Sequence, residues 1–407
     1  MTEVFHMELS DERRDSLSDR EDDLFELDEL PAAQKQKAVS SDEEVVDLDE
    51  QLINPPNIRL SPSDFQLLKL LGTGGFGKVF LARKTSAPDA GNFFAIKILR
   101  KAQIARSSKD VVHTKTERSI LEQVKNPFIC DLRFAFQSNE KLYLASPPSY
   151  CSHDVLEYLA GGELFTHLEK EGVVSETAAR FYLAEITLAL GHLHRCRIVF
   201  RDLKPENIML DSTGHVKLTD FGLSKEGEEK TFTFCGTVDF MAPEVVLRTG
   251  HGRACDWWSM GTLFYDMVVG CPPFASSCSK KVIEKILRSR IRLPSGISEE
   301  AQSLIKSLLK RNVVNRLGAG PEDAEEIKRH EFFADIDWEK AYRRELVPPF
   351  QPSLQRPDDV SLFDTRFTEL PAVDSPCETN GMPAFSVNPF DGFSYVAPGV
   401  LDKFFER

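Results

Sequence analysis

Strand-like and helical segments occupy different parts of this chain. Three short runs rich in apolar, β-branched and aromatic residues surround a glycine-rich turn, and they span residues 65–71, 78–82 and 93–99. Helical spacing of apolar residues dominates beyond Gly162. A group of strands followed by a group of helices predicts an α+β body with a small β-rich part and a larger α-helical part.

The predicted helices are segments in which apolar residues recur every three or four positions. They cover residues 109–124, 177–193 and 299–309. In the first of these segments we expect Val112, Ile120 and Leu121 to make the apolar contacts.

Acidic residues are concentrated at the N-terminus. Residues 1–50 contain 18 Asp and Glu against 5 Lys and Arg, which leaves 46 acidic and 45 basic residues in the rest of the chain. The net charge of −14 therefore belongs mainly to this segment, and we expect residues 1–64 to be disordered. A nearly neutral body argues against nonspecific nucleic-acid binding.

Eight cysteines are scattered through the chain without any C-x-x-C pair. The N-terminus lacks a signal pattern and no run of 18 apolar residues occurs, so we expect neither secretion nor a membrane span. Scattered cysteines then indicate free thiols in a reducing compartment. We expect a monomer in the cytoplasm, with the nucleus as a second location.

A G-x-G-x-x-G pattern lies between the first two strand-like runs. Glycine lets the backbone approach phosphate oxygens and donate N–H groups to them. An ordinary tight turn and a dinucleotide-binding fold are the alternative interpretations. The valine that follows and the A-I-K sequence of the third strand favour the form that binds ATP. The expected ATP-binding residues here are Leu71, Gly72, Thr73, Gly74, Gly75, Phe76, Gly77, Lys78, Val79, Ala95 and Lys97.

Lys97 is expected to bind the α- and β-phosphates of ATP. Glu117, on the helical segment that follows, is expected to pair with Lys97 and hold it in place. The alternative for both residues is a solvated surface charge, which is the commoner situation of Lys and Glu.

Residues 201–207 read R-D-L-K-P-E-N and match the R-D-x-x-x-x-N pattern of phosphoryl transfer to a hydroxyl. Asp202 is expected to accept or orient the proton of the substrate hydroxyl, and Lys204 to offset the charge of the transferred phosphate. Asn207 is expected to bind Mg²⁺, and Asp220, in a D-F-G sequence, to bridge Mg²⁺ to the phosphates.

An A-P-E sequence at residues 242–244 closes the activation segment, which begins at the D-F-G sequence. Glu244 is expected to pair with Arg316. Phe200 stands where many enzymes with this pattern have His, but the position is structural. Each short motif can arise by chance, whereas the whole set in this order and spacing predicts a serine/threonine protein kinase.

From Phe65 onward the chain resembles the AGC group of protein kinases, and within it the ribosomal protein S-6 kinases. The matching strings are G-G-E-L-F at 161–165, K-P-E-N at 204–207, H-V-K-L-T-D-F-G-L at 215–223 and T-F-C-G-T at 233–237. The resemblance implies a bilobal α+β protein-kinase fold over residues 65–333, with a small β-rich N-lobe and a larger α-helical C-lobe. It also implies an AGC-kinase C-terminal tail over residues 334–407, and ATP and Mg²⁺ as cofactors.

The resemblance adds residues to the expected ATP site. Glu157 and Leu159 correspond to the hinge whose backbone binds adenine. The remaining ATP-binding residues that it implies are Glu117, Glu163 and Met209.

Three phosphorylation sites follow from the resemblance. Thr233 matches the activation-loop site, Ser375 the turn motif and Ser394 the hydrophobic motif. A phosphate at Thr233 is expected to pair with Arg201. We expect Phe390 and Phe393 to fill an apolar groove on the small lobe and fix the helix that carries Glu117, with a disordered tail as the alternative.

The resemblance also implies partners. Residues 25–29, F-E-L-D-E, resemble the signal that docks such kinases onto the TOR complex, although ordinary acidic disorder is the alternative. The upstream kinases would be the phosphoinositide-dependent kinase and the TOR complex. Glu163, Glu206 and Asp266 match positions that receive substrate arginines, so we expect basic protein substrates.

The chain departs from the family pattern at two places. Roughly ten extra residues lie within 145–155, where the strand should run directly into the hinge, and prolines there cannot continue a central strand. Three interpretations fit this insertion. We favour a gene-model or splicing artefact, and the alternatives are a bulging surface loop and a damaged ATP site. The chain also ends at Arg407, shortly after the hydrophobic motif, so we do not expect regulation by release of a longer tail.

An active arginine-directed kinase in TOR growth signalling is therefore the predicted function. The alternatives are another AGC kinase and a catalytically impaired scaffold with a kinase fold.

Overall fold

The computed structural model describes residues 60–75, 77–87, 89–146, 159–164, 166–167, 172–227, 230–374, 388–398 and 400. Phe76, Glu157, Ser375, the pentapeptide 25–29 and most of the insertion lie outside the described residues. Predictions for these residues therefore stay predictions.

Six antiparallel strands form the main sheet. They are β1 Phe65–Thr73, β2 Gly77–Lys84, β3 Phe93–Arg100, β4 Phe134–Gln137, β5 Lys141–Ser146 and, from the end of the chain, β11 Tyr395–Val396, in the order β1-β2-β3-β5-β4-β11. The three predicted strands are confirmed as β1 to β3, each extended by one to three residues. β11 was not predicted, because it has only two residues and pairs with a strand far away in the sequence.

One end of this sheet is filled by aromatic rings. Phe65 packs edge-on against Phe94 and is stacked on Phe136, with ring centroids 5.9 and 5.5 Å apart. These residues come from β1, β3 and β4, which are not adjacent in the sheet, so the cluster joins strands that do not share hydrogen bonds.

Two helices follow β3, namely α1 Lys101–Ile104 and α2 Ser108–Gln123. The predicted contacts of Ile120 and Leu121 are confirmed, since both side chains are buried. The prediction for Val112 is wrong, because this residue is 59% exposed. At about 100° per residue, Val112 lies roughly 140° around the helix from buried Glu117, so it faces away from the sheet.

The larger lobe is built on helices. They are α3 Glu176–Arg195, α4 Pro243–Val246, α5 Ala254–Val269, α6 Ser279–Arg288, α7 Glu299–Leu308 and α8 Ala324–Lys328. Five short strands carry the loops that face the small lobe. One sheet contains β6 Gly162–Glu163, β8 Ile208–Leu210 and β9 Val216–Leu218, and a second contains β7 Ile198–Val199 paired with β10 Lys225–Glu226. The predicted α+β fold with two lobes is confirmed. Within the described ranges no helix is both long and apolar enough to cross a bilayer.

Helices α3 and α5 form the centre of this lobe. The hydroxyl of Ser175 accepts a hydrogen bond from Ala178 N at 3.2 Å, which caps α3 at its start. Gly270, with φ of 88°, ends α5 in the left-handed conformation that glycine adopts most easily. Both helices are buried along most of their length, so they form a rigid base for the loops above them.

The C-terminal tail lies on both lobes and includes the helices α9 Trp338–Tyr342 and α10 Thr365–Thr368. A Cβ atom at Gly214, in the β8–β9 turn, would lie 1.9 Å from the carbonyl oxygen of Phe350, so the tail can pack there only against glycine. Further along, Phe390 and Phe393 are buried against the small lobe, and Ala397 N donates to Arg133 O at 2.9 Å. The predicted docking of the two phenylalanines is therefore confirmed.

Glu244 and Arg316 form the predicted buried ion pair. The guanidinium donates two parallel hydrogen bonds, of 2.6 and 2.8 Å, to the two carboxylate oxygens. It also donates to Ala254 O at 2.7 Å, and it lies 5.2 Å from the centre of the Trp258 ring. Every charge here has a partner, as a buried pair requires.

Arg316→Met should lower the free energy of unfolding by about 3–5 kcal/mol, because it leaves the Glu244 carboxylate buried and unpaired. Urea denaturation of the full chain measures this change. Arg329→Met removes a cation that pairs with Glu322 on the surface, and it should leave the denaturation midpoint unchanged. Equal shifts of the midpoint in the two variants would contradict this prediction.

Candidate active site

The turn between β1 and β2 leaves open space beside its backbone. A Cβ atom on Gly72, Gly74 or Gly75 would meet no described atom within 4 Å. At Gly77 a Cβ atom would lie 1.9 Å from the carbonyl oxygen of Ile98, so packing against β3 requires glycine there. The other three glycines have no such packing reason among the described residues, and their exposed backbone suits the close approach of phosphate groups.

Apolar residues of the predicted ATP site come together below this turn. Leu71 and the partly buried Val79 and Ala95 pack in one cluster with Ala160. Tail residues Leu354, Val360 and Phe363 join the same cluster. These tail residues could not be predicted, because their segment lacks helical or strand periodicity.

Leu159, Glu163 and Met209 are the remaining predicted ATP-binding residues that the structure describes beyond the glycine-rich sequence, this cluster and the Lys97–Glu117 pair. Leu159 is half-buried, and its carbonyl accepts a hydrogen bond from Gly162 N at 3.2 Å. Glu163 in β6 pairs with Met209 in β8. The strand pairing therefore places two of the predicted ATP-binding residues side by side.

Lys97 connects three parts of the molecule. Its Nζ lies 2.7 Å from Glu117 Oε1 on α2 and 3.2 Å from Asp220 Oδ1 on the loop after β9. Burial alone would lower the pKa of Lys97, but the carboxylates of Asp220 and Glu117 outweigh it and raise this pKa. The predicted Lys97–Glu117 ion pair is confirmed.

The two carboxylates differ in their environments. Burial raises the pKa of Glu117, even though the Lys97 charge acts in the opposite direction. The Lys97 ammonium lowers the pKa of Asp220, whose side chain is 54% exposed. Asp220 therefore presents an ionised, accessible carboxylate, which is the type of oxygen ligand that a divalent cation prefers.

Asp202 lies in a dense set of hydrogen bonds. Its Oδ1 accepts from Thr237 N at 3.1 Å, and its Oδ2 accepts from Asn207 Nδ2 at 2.8 Å. Lys204 Nζ lies 3.0 Å from the same Oδ2 and donates to Thr237 Oγ1 at 2.9 Å. The carboxylate is thus fixed in orientation, as a group that receives a proton from a substrate hydroxyl must be.

Asn207 and Asp220 are the residues that could hold a divalent cation. Asn207 is the last residue of the short helix Pro205–Asn207, and β8 begins directly after it. Its carbonyl accepts a hydrogen bond from Thr219 N at 3.0 Å. Thr219 precedes Asp220, so this hydrogen bond links the two segments. Asp220 has a φ of 59°, an uncommon conformation outside glycine that is frequent in residues held for function.

Asp256 holds the backbone before Asp202 and was missed by sequence reasoning. Its carboxylate accepts from Phe200 N at 2.9 Å and from Arg201 N at 2.7 Å. Arg201 has a φ of 69°, so these bonds stabilise a strained conformation. Asp256 lies outside every motif that was recognised in the sequence, and only the fold brings it to this backbone.

The predicted activation-loop site lies beside Arg201. Thr233 is exposed, and its hydroxyl lies 3.3 Å from that of Thr231, to which Arg201 Nη1 donates at 3.5 Å. Arg201 Nε donates to Leu223 O at 2.6 Å, which fixes the guanidinium near both threonines.

Three predicted substrate-binding carboxylates influence one another. Burial, Glu206 and Asp364 raise the pKa of Glu163. Burial, Glu206 and Asp239 raise the pKa of Asp266 to about 6. Carboxylates that destabilise one another's charge form an acidic site that a cation would stabilise.

Comparison with known proteins agrees with this geometry. Residues 65–333 match the protein kinase domain family, and residues 354–395 match the protein kinase C terminal domain. The chain is 57% identical over 365 residues to ribosomal protein S6 kinase beta of Caenorhabditis elegans, covering 88% of this chain and 64% of that protein. It is 50% identical over 349 residues to ribosomal protein S6 kinase alpha-1 of Homo sapiens, covering 84% of this chain and 45% of that protein.

A third relative, ribosomal protein S6 kinase alpha-6 of Danio rerio, is 51% identical over 350 residues, covering 85% of this chain and 45% of that protein. The chain thus spans about half to two thirds of the length of these relatives. The predicted resemblance to ribosomal protein S-6 kinases is confirmed.

His251 should make the protein sensitive to acid. The ring is buried beside Arg201, and neither ring nitrogen has a hydrogen-bond partner among the described residues. Burial and the Arg201 charge lower its pKa from 6.5 to about 4. Because the unfolded chain binds the proton first, this histidine should cost roughly 2 kcal/mol of stability as the pH falls from 6.5 to 4.

His251→Leu, which cannot be protonated, should reduce the slope of unfolding free energy against pH in this window. Urea denaturation between pH 7 and pH 4 measures the slope. An unchanged slope in this variant would show that other groups cause the acid sensitivity.

Proposed function

Because this chain belongs to the protein kinase domain family, we propose that it transfers the γ-phosphoryl group of Mg-ATP to serine and threonine hydroxyls of protein substrates. The observation that carries the proposal is the position of Asp202. Its carboxylate is fixed by Thr237 and Asn207 and lies beside the Lys204 ammonium.

Each group of the site has a role in this reaction. Mg²⁺, when bound, offsets the phosphate charge and orients the phosphates for in-line attack. Asn207 and Asp220 would hold the cation, and Lys97, held by Glu117, would orient the α- and β-phosphates. Asp202 would take the proton of the attacking hydroxyl, while Lys204 would stabilise the negative charge on the transferred group.

Arginine-containing sequences are the substrates that we propose. Glu163, Glu206 and Asp266 support this specificity, because guanidinium groups form two parallel hydrogen bonds with carboxylates. One carboxylate oxygen of Glu206, Oε2, is buried without a hydrogen-bond partner among the described residues. A substrate arginine would supply the missing donor.

Phosphorylation of the chain itself would stabilise the active arrangement. A phosphate at Thr233 would pair with Arg201 and order the activation loop. A phosphate at Ser394, which is exposed, would lie in a segment flanked by cations, since Lys101 lies 5.7 Å from the Phe390 ring and Arg118 lies 5.5 Å from the Tyr395 ring.

A phosphate at Ser375 is the third modification that we propose. Asp374, which precedes Ser375 in the sequence, pairs with Lys141 at 2.7 Å and lines a cavity of about 170 Å³. Lys78 and Arg100 line the same cavity, and they are the partners that we propose for this phosphate.

We further propose that the chain acts as a ribosomal protein S-6 kinase in TOR growth signalling, in the cytoplasm and nucleus. The similarity to proteins named ribosomal protein S6 kinase and the pentapeptide 25–29 support this role. The upstream kinases would be the phosphoinositide-dependent kinase and the TOR complex.

A catalytically impaired scaffold is the second candidate function, because the insertion within 145–155 precedes the hinge directly.

Asp202→Asn should lower kcat for phosphorylation of an arginine-containing peptide by about 10²- to 10⁴-fold, since it removes the proton acceptor without changing the side-chain shape. Transfer of labelled phosphate from ATP measures this loss. Asp335→Asn, at an exposed position on the large lobe, should leave kcat unchanged. A correctly folded wild-type chain that transfers no phosphate would favour the scaffold.

Arginine specificity should depend on pH through Asp266. Its carboxyl group becomes protonated as the pH falls through about 6, so KM for a peptide with arginines before the acceptor should rise between pH 7 and pH 5.5. Asp266→Asn should raise KM about tenfold at pH 7 and remove this dependence. If a peptide array showed acidic or proline-directed peptides to be equally good substrates, the arginine assignment would be wrong.

A further inference from the structure

Asp323 adopts a backbone conformation that favours glycine. Its φ is 52° and its ψ is −119°, directly before α8. An aspartate in this region is strained, and such a conformation persists only where other contacts fix it. The residue is also buried, which points to its side chain as the source of those contacts.

The Asp323 carboxylate has three partners. Trp257 Nε1 donates to its Oδ1 at 2.8 Å, and Arg253 Nε lies 3.5 Å from the same oxygen. His194 Nδ1 lies 3.1 and 3.0 Å from its two oxygens. The strained loop thus places a carboxylate against helices α3 and α5, which carry His194 and Trp257.

His194 lies between two carboxylates. While Nδ1 faces Asp323, Nε2 lies 2.9 Å from Asp256 Oδ2, and the side chain is only 1% exposed. Both ring nitrogens must donate to satisfy these acceptors, which only the imidazolium form can do. Burial opposes this charge, but hydrogen bonds and charges from Asp256 and Asp323 raise the pKa of His194 to about 9.

Asp256 connects this histidine to the catalytic loop. The same Oδ2 that faces His194 accepts from Phe200 N, and Oδ1 accepts from Arg201 N. Arg201 directly precedes Asp202. A continuous set of hydrogen bonds therefore runs from Asp323 through His194 and Asp256 to the backbone beside the proton acceptor.

We propose that Asp323 is a positioning residue for Asp202, and that it acts by keeping His194 as an imidazolium which orients Asp256 against the amides of Phe200 and Arg201. The proposal rests on the proposed kinase function. With one carboxylate instead of two, His194 can lose its proton, and its bond to Asp256 then weakens because the donor no longer carries a positive charge. The two amides then lose a fixed acceptor, and Asp202 loses its exact placement.

Asp323→Asn in the full chain tests this proposal, with Glu322→Gln as the matched control at an exposed neighbour. We expect a kcat about tenfold lower than in the wild type, with KM for peptide and ATP unchanged within twofold. The pKa of His194, followed by NMR of its ring, should fall by at least one unit, and hydrogen exchange at residues 198–204 should accelerate about tenfold. Glu322→Gln should change none of these quantities.

Two further variants separate positioning from stability. Asp323→Gly removes the carboxylate but also the backbone strain, so it should fold and still show the same loss of kcat. In a His194→Gln background, Asp323→Asn should cause no further loss, because residues that act through one another are not additive.

An unchanged kcat and unchanged exchange in Asp323→Asn would overturn the proposal, as would an equal loss of kcat in the His194→Gln background. A wild-type chain without phosphate transfer would instead contradict the proposed function. In that case the pKa of His194 and hydrogen exchange at residues 198–204 would still show whether Asp323 acts on the catalytic loop through His194 and Asp256.

Discussion

The Lys97 ammonium is the interaction on which the arrangement of the two lobes depends. It contacts a carboxylate from α2 and one from the loop after β9, so a single cation links the sheet, the helix and the large lobe. Removing Lys97 would leave the buried Glu117 carboxylate without its ammonium partner. The tail supports the same helix from outside, because Tyr395 packs under Arg118 of α2 while β11 pairs with β4.

The reactive groups lie on loops with strained or irregular backbone. Side chains of the buried helices beneath these loops form the hydrogen bonds that stabilise them. Arg201, which directly precedes Asp202, and Asp220, the first residue of the D-F-G sequence, both have positive φ angles. Asp256 on α5 fixes the first of these segments through its hydrogen bonds to backbone N–H groups. Most of the stability of α3 and α5 comes from burial, which leaves the loops above them free to adopt conformations set by function.

Much of the fold could be predicted from the sequence because its signals are local. Strands β1 to β3 and helix α2 follow from periodicity within short windows, and the Lys97–Glu117 and Glu244–Arg316 pairs follow from motif spacing. Val112 was misplaced because the polar Thr114 and Glu117 are buried on the inner face of α2, while Val112 is exposed. The contacts among His194, Asp256 and Asp323 could not be predicted, since they join residues 62 and 129 positions apart with no shared motif.

Binding of Mg-ATP to the full chain tests the central claim most directly. Thermal unfolding should be measured with and without Mg-ATP for the wild type, for Lys97→Ala and for a variant without residues 145–154. We expect Mg-ATP to stabilise the wild type in a manner that requires Mg²⁺, that disappears in Lys97→Ala and that is kept when the insertion is removed. A folded wild-type chain whose unfolding temperature does not respond to Mg-ATP would contradict it.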